Sequence, residues 1–292
     1  KRQEVNRSVP RIVDVLPNGP NNFMTVQVFL AGGVQEVMLH LREMGVLDLN
    51  CLTVTGKNID QNLDDWEKSE RRIRFKEILY TKDGVDPNDV IMSPDKASEK
   101  GLARTLAFLS GNLAPQGAIV KSTSISPNLY SSSGNYHHEG RARVFYDESS
   151  AIASVKSTGD QRVLPGEVIV LLGRGPMGAG MPETAQITSA LKYTKALSEN
   201  ALITDGRFSG FSSGPCIGHI GPEALSGGPI GKLIDGDQIK IEINKDHCVG
   251  RIDYIGDVEA FQKRPMNPNL REDPNMPESV KFWAALQLSL IH

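Results

Sequence analysis

At 292 residues the chain has room for one large domain or two ordinary ones. With 39% hydrophobic and 23% charged residues it has the composition of a globular protein, and a formal net charge of -3 leaves no basic footprint for nucleic acid. No apolar run reaches the roughly 18 residues of a membrane span, and Lys1-Arg-Gln-Glu-Val-Asn-Arg7 lacks an apolar signal core. Three cysteines, Cys51, Cys216 and Cys248, make neither a disulfide framework nor a Cys-x-x-Cys knuckle, so a reducing, cytoplasmic setting is expected.

Val9 to Pro17 opens without a helix cap, as if the chain began inside a domain. Val34, Val37, Met38 and Leu41 then recur at helical spacing between Gly33 and Gly45. Cys51 to Thr55 reads as a short strand broken by Gly56, and Ile59, Leu63 and Trp66 line one face of a second helix. The mixed charges of Glu67 to Glu77 read as a solvated face, because acids interleave the bases. Ser93-Pro94 suits the cap and first turn of a helix running to about Lys100.

From about residue 110 strands shorten and turns multiply. Ala118–Ser122 and Arg141–Phe145 read as strands, and Asp147 as the cap of a helix through Val155. Leu164-Pro-Gly-Glu167 turns into the wholly apolar strand Val168–Leu172, and Pro182 to Leu191 suits a helix. Asp235-Gly-Asp237 turns into Gln238–Ile243, whose strict alternation predicts a half-buried strand. Many strands with few helices between them point to a closed or partly closed barrel. From Asp257 the chain is rich in Pro and Asn, with a last helix expected around Val280 to Leu288.

The stretch with the most chemistry is Ala201 to Ile220. An apolar strand, Ala201 to Thr204, runs straight into a loop dense in Gly and Ser, and strand ends are where reactive groups are usually set. Ser209 lies there in the order Gly-x-x-Ser-Gly, which is not a hydrolase nucleophile elbow. On spacing alone it is a solvated turn serine or a reactive hydroxyl. Glu183, near a helix start, is either a carboxylate favoured by the helix dipole or a ligand for a hard cation such as Mg²⁺. His219, among apolar neighbours, reads as a core histidine. Gly173-Arg-Gly-Pro-Met-Gly178 matches Gly-x-Gly-x-x-Gly, with Asp205 as a ribose acid, but Pro176 and Pro182 interrupt the expected phosphate-binding helix and no βαβ pattern is evident around it. His137-His138 has no ligand-spaced partner for zinc.

Thr204-Asp-Gly-Arg-Phe-Ser-Gly210, Ile217-Gly-His-Ile-Gly-Pro-Glu-Ala224, Gly227-Gly-Pro-Ile230 and Asp235-Gly-Asp237 together resemble the dihydroxy-acid and phosphogluconate dehydratase family. Gly180-Met-Pro-Glu-Thr184, Leu52-Thr-Val-Thr-Gly56 and Ala31-Gly-Gly33 fit it in the same order, so the likeness covers nearly the whole chain. Phe29 to Leu41 and Trp66 to Arg72 are most similar to its sugar-acid branch, which includes D-xylonate dehydratases.

The resemblance implies an α/β fold: the tail of a large α/β domain over 1–110, a swivelling β-barrel domain over 111–256, and a C-terminal tail over 257–292. It implies a hydro-lyase that removes water from a sugar acid to give a 2-keto-3-deoxy acid, using an iron–sulfur cluster and Mg²⁺. Ser209 matches the family's base, in contact with substrate, and Glu183 matches its Mg²⁺ carboxylate. None of Cys51, Cys216 and Cys248 matches a cluster ligand; the cluster cysteines and the other Mg²⁺ ligands belong to an N-terminal half not found here. The expectation is therefore that residues 1–292 alone turn over little or no substrate. The complete enzyme is expected to be a cytoplasmic homo-oligomer acting on a small-molecule acid, without nucleic acid or membrane. The competing reading is a cluster-less binding or scaffolding remnant.

Overall fold

The computed structural model of the chain describes residues 6, 9–16, 19–100, 102 and 105–282. Its contacts divide into two compact units, Lys1–Arg104 and Thr105–His292.

The first unit is helical: α1 (Thr25–Leu30), α2 (Gly33–Glu43), α3 (Ile59–Glu67), α4 (Glu70–Asp83), α5 (Pro87–Val90) and α6 (Pro94–Glu99). Ser93 caps α6 as expected, accepting from the Lys96 amide. Ala31, Leu79, Val90 and Ile91 form one small core, and Ile12, Met92, Ala97 and Leu102 another. The apolar stripe expected on α2 is displaced: Val34 is exposed, and the buried positions are Leu39 and Glu36. Glu36 accepts from Arg72 Nε (2.8 Å), Arg72 Nη2 (2.8 Å), Lys76 Nζ (2.6 Å) and Trp66 Nε1 (3.3 Å). Part of the charged run 67–77 thus turns inward, because a buried carboxylate must be paired. Cys51–Thr55 is not a strand. It makes only the single bridge Leu52↔Asn58, and the Thr53 hydroxyl donates to the Lys57 carbonyl at 2.9 Å, closing a local turn.

The second unit is a closed eight-stranded barrel in the order β1-β2-β6-β5-β4-β3-β7-β8. Its strands are β1 (Leu106–Ser110), β2 (Gly117–Lys121), β3 (Asn135–Phe145), β4 (Val168–Leu171), β5 (Leu202–Thr204), β6 (Cys216–Gly221), β7 (Gln238–Asn244) and β8 (Val249–Tyr254). One arc, β3-β4-β5-β6, is parallel; β3 also pairs antiparallel with β7. α7 (Glu148–Lys156) and α9 (Ala185–Tyr193) connect successive strands of this arc; α8 (Pro176–Ala179) is a single turn before α9. The βαβ arrangement missed from sequence is therefore present, β4 passing through α9 to β5. Val168 and Val170 sit in the barrel core, while Ile169, Leu171 and Leu202 pack outward with Val155, Ile187 and Leu191. Burial on both faces explains why β4 is apolar throughout. On β7 only Ile239, Ile241 and Ile243 enter the core, and the sequence alternates accordingly.

Helix α9 starts three residues later than its proline suggested. The Thr184 amide and hydroxyl both donate to the Arg207 carbonyl, at 3.1 and 2.9 Å, which keeps this stretch out of the helix. The Ile187 amide in the first turn is satisfied by Glu148 of α7 at 2.9 Å. α10 (Val258–Lys263) is capped by Asp257. The helix expected over 280–288 lies outside the described residues beyond Phe282.

Candidate active site

Strand β5 delivers Thr204 and Asp205 to the rim of the barrel, and the chain then folds into a turn at Ser209. The Ser209 carbonyl accepts from the Ser212 amide, and its Oγ accepts from the Phe211 amide, both at 3.1 Å. An N–H directed at a hydroxyl oxygen favours its anionic form. The turn is held from β2 and the residues after it. Lys121 Nζ donates to the Gly210 carbonyl at 2.6 Å, the Ser124 hydroxyl donates to Gly214 O at 2.9 Å, and the Gly214 amide returns to Ser124 O at 2.8 Å.

Lys121, Ser124, Ser209 and Gly210 line a cleft of about 270 Å³ that also includes Phe208, Ser212, Cys216 and His219. Ser212 is only 7% exposed, and its hydroxyl has no hydrogen-bond partner. A buried hydroxyl in that state calls for a polar ligand or water. Burial pushes the Cys216 thiol up to about 12, so it stays neutral, and burial also lowers Lys121 from its ordinary value, with Cys216 opposing. His219 departs from expectation. It sits on β6 but is exposed, with a backbone φ of 54°, and lines the cleft rather than the core. Apolar sequence neighbours concealed this, because the left-handed backbone turns the residue outward.

The Gly173–Gly178 loop follows β4, as a dinucleotide loop would, but its amides are spent inside the protein. Gly173 and Arg174 donate to the Asp205 carboxylate at 3.2 and 2.8 Å, joined by Ala224 at 3.0 Å. Met177 donates to Glu223 Oε1 and Oε2, at 3.0 and 3.1 Å. Asp205 is 2% exposed and cannot be a ribose acid. Its carboxyl is raised by burial, against the pull of the three amides. Glu223 is likewise raised by burial and further by the charge of Asp205. A methyl group on Gly175 would fall 2.1 Å from Glu223 Oε2, and one on Gly178 would fall 2.3 Å from the Gly173 carbonyl oxygen, so both glycines are set by close approach. Sequence reasoning missed this clasp; its partners lie more than 18 residues apart, and the one signal was the density of glycine opposite two acids.

Glu183 is exposed, and its backbone bridges to Arg207, two residues before Ser209. The segments carrying the two expected site residues are thus adjacent, coupled through Thr184. Cys51, Cys216 and Cys248 do not converge: Cys51 is exposed in the helical unit, Cys216 lines the cleft, and the Cys248 thiol donates to the Lys245 carbonyl. Among the described residues no three His, Cys, Asp or Glu side chains could hold a metal ion. They therefore do not fit an iron–sulfur cluster, and Glu183 fits a Mg²⁺ site as one hard oxygen donor only. Also among the described residues, no helix is long and apolar enough to cross a membrane.

Comparison with known proteins adds an independent line. Residues 89–283 match the family "Dihydroxy-acid/6-phosphogluconate dehydratase C-terminal", and residues 1–62 match its N-terminal counterpart. The chain is 47% identical over 293 aligned residues to D-xylonate dehydratase YagF of Escherichia coli K12, covering 97% of this chain and 44% of that protein. It is 45% identical to D-xylonate dehydratase YjhG of the same organism, covering 97% and 45%. A dihydroxy-acid dehydratase of Ignicoccus hospitalis is 35% identical, covering 98% and 46%. The chain spans about half the length of the curated relatives it matches.

Proposed function

This chain belongs to the dihydroxy-acid/6-phosphogluconate dehydratase family, and on that premise we propose that it carries the base of a hydro-lyase acting on a sugar acid such as D-xylonate. The observation that supports this most is the Ser209 turn: a hydroxyl in a cleft, with an amide directed at its oxygen and an ammonium bonded to the next carbonyl. A C2 proton next to a carboxylate is poorly acidic; the family resemblance implies a serine alkoxide as its base, and serine becomes one only where its environment favours the anion. Ser209 Oγ takes the C2 proton. The C2–H electrons become the C2–C3 double bond as the C3–O bond breaks; the departing hydroxide and the proton taken from C2 together make up the water lost, so Ser209 returns to the alkoxide, and the enol product tautomerises to the 2-keto acid by protonation at C3.

Glu183 is the chain's donor to a Mg²⁺ ion, which when bound draws off charge that develops on the substrate's oxygens. No described residue is assigned to the departing hydroxyl. The buried Ser212 hydroxyl suits a polyhydroxylated ligand, which can supply the partner it lacks.

The test is conversion of D-xylonate by the complete enzyme containing this chain, purified anaerobically with its metals, followed as 2-keto acid formation. Steady production is expected. Its absence with metals present, against a positive control of a relative, would favour the cluster-less binding remnant. Cytoplasmic location and assembly as a homo-oligomer belong to the same proposal.

A further inference from the structure

We propose that Lys121 is the positioning residue of the Ser209 base: its ammonium pins the turn and is the cation, from within this chain, that favours the alkoxide. This rests on the reading of Ser209 as the base.

Three observations carry it. Lys121 is the last residue of β2, yet its Nζ reaches across the barrel rim to the carbonyl of Gly210, the residue after Ser209, at 2.6 Å. It lines the same cleft as Ser209 and is half-buried, so its charge is weakly screened. Further along, Ser124 and Gly214 clamp the loop through two hydrogen bonds of their own, so Lys121 is not needed to hold the loop as a whole. What it fixes is the four-residue turn in which the Phe211 amide meets Ser209 Oγ. Other titratable groups facing the cleft are Cys216 and His219, both on β6. Cys216 stays neutral because of its burial, and His219 is exposed. Among the residues lining the cleft, Lys121 is therefore the one lysine or arginine, and burial lowers its pKa from the ordinary value. A cation near an ionisable hydroxyl stabilises its deprotonated form.

The experiment has two arms. In the complete enzyme, amide hydrogen exchange is compared between wild type and Lys121→Met. Exchange at Phe211 and Ser212 is expected to rise about tenfold, with barrel amides such as those of β4 unchanged. In the complete enzyme, the pH profile of kcat is measured for wild type, Lys121→Met and Lys121→Arg. Lys121→Met is expected to lower kcat roughly 10- to 100-fold, leave KM within about threefold, and move the limb on which rate rises with pH upward by about one unit. Lys121→Arg keeps the charge and should return the limb towards its original position.

Unchanged exchange at Phe211 and Ser212 would overturn the pinning role. An unmoved pH limb in Lys121→Met, or equal displacement in Lys121→Arg, would overturn the electrostatic role. If Lys121→Met fails to fold, Lys121→Ala, which also removes both the donor and the charge, replaces it in both arms with the same expected rise in exchange and the same shift of the limb. Failure of the base reading is distinguishable, because a wild-type enzyme without turnover leaves the exchange result standing.

Discussion

Asp205 is the residue on which the site's loops converge. Its carboxylate, 2% exposed, collects amides from Gly173, Arg174 and Ala224 and so ties together three loops that share no sequence neighbourhood. Removing it with Asp205→Ala leaves three buried N–H groups unsatisfied. At about 1 to 3 kcal/mol each, with partial relaxation, the expected loss is roughly 3 kcal/mol or more in urea unfolding, and Asp205→Asn should lose less because one oxygen still accepts. An Asp205→Ala variant with an unchanged urea midpoint would contradict the clasp. Glu183 makes the opposite prediction. It is exposed and carries no structural load, so Glu183→Gln should leave the unfolding midpoint alone and weaken Mg²⁺ binding by about 10- to 100-fold. Calorimetric titration of the complete enzyme with Mg²⁺ checks this, and equal affinity in both proteins would remove Glu183 from the metal site.

Among the elements, α2, α3 and α4 are joined through Glu36, which accepts from Trp66, Arg72 and Lys76. Burial pushes its carboxyl up, but the bonds from Arg72 and Lys76 outweigh burial and bring it from 4.5 down to about 2. Because the folded value is the lower one, the ionised form favours folding. That contribution is complete above about pH 4.5 and is lost as pH falls through about 2; at neutral pH it is on the order of 3 kcal/mol. Unfolding of the first unit, followed by Trp66 fluorescence, should show this acid loss in wild type and a flatter profile in Glu36→Gln. Superimposable profiles would contradict it.

These helices also show where sequence is informative. Caps such as Ser93 and Asp147, and the alternation of Gln238–Ile243, depend on neighbours within a few residues and were legible. The inward turn of Arg72 and Lys76 depends on an acid 36 to 40 positions away and was not. Cys51–Thr55 has the propensity of a strand, but among the described residues no strand lies beside it to complete one, and its threonine hydroxyls take the local backbone instead.

At the scale of the molecule, the closed barrel brings the cleft together from strands distant in sequence. Lys121 leaves β2, Ser209 follows β5, and His219 lies on β6, neighbours in the order β2-β6-β5 although 98 residues separate the first from the last. The barrel itself was legible, because short apolar and alternating runs punctuated by turns leave few other folds. Its closure was not fully legible, since the parallel arc depends on which strands pair, and β4 and β5 look alike to any apolar neighbour. Of the site, Ser209 and Glu183 came from motif resemblance, while Lys121, Ser212 and the clasp of Asp205 and Glu223 emerged only from the fold.

The proposed role of Ser209 as the proton acceptor of a sugar-acid dehydratase carries the rest of the site. It is tested most directly by turnover of D-xylonate in the complete enzyme carrying Ser209→Ala, with iron and Mg²⁺ content measured on the same sample. In Ser209→Ala kcat is expected to fall by about 10³-fold or more while both metal contents stay at wild-type levels. Near-normal turnover in that variant would contradict it.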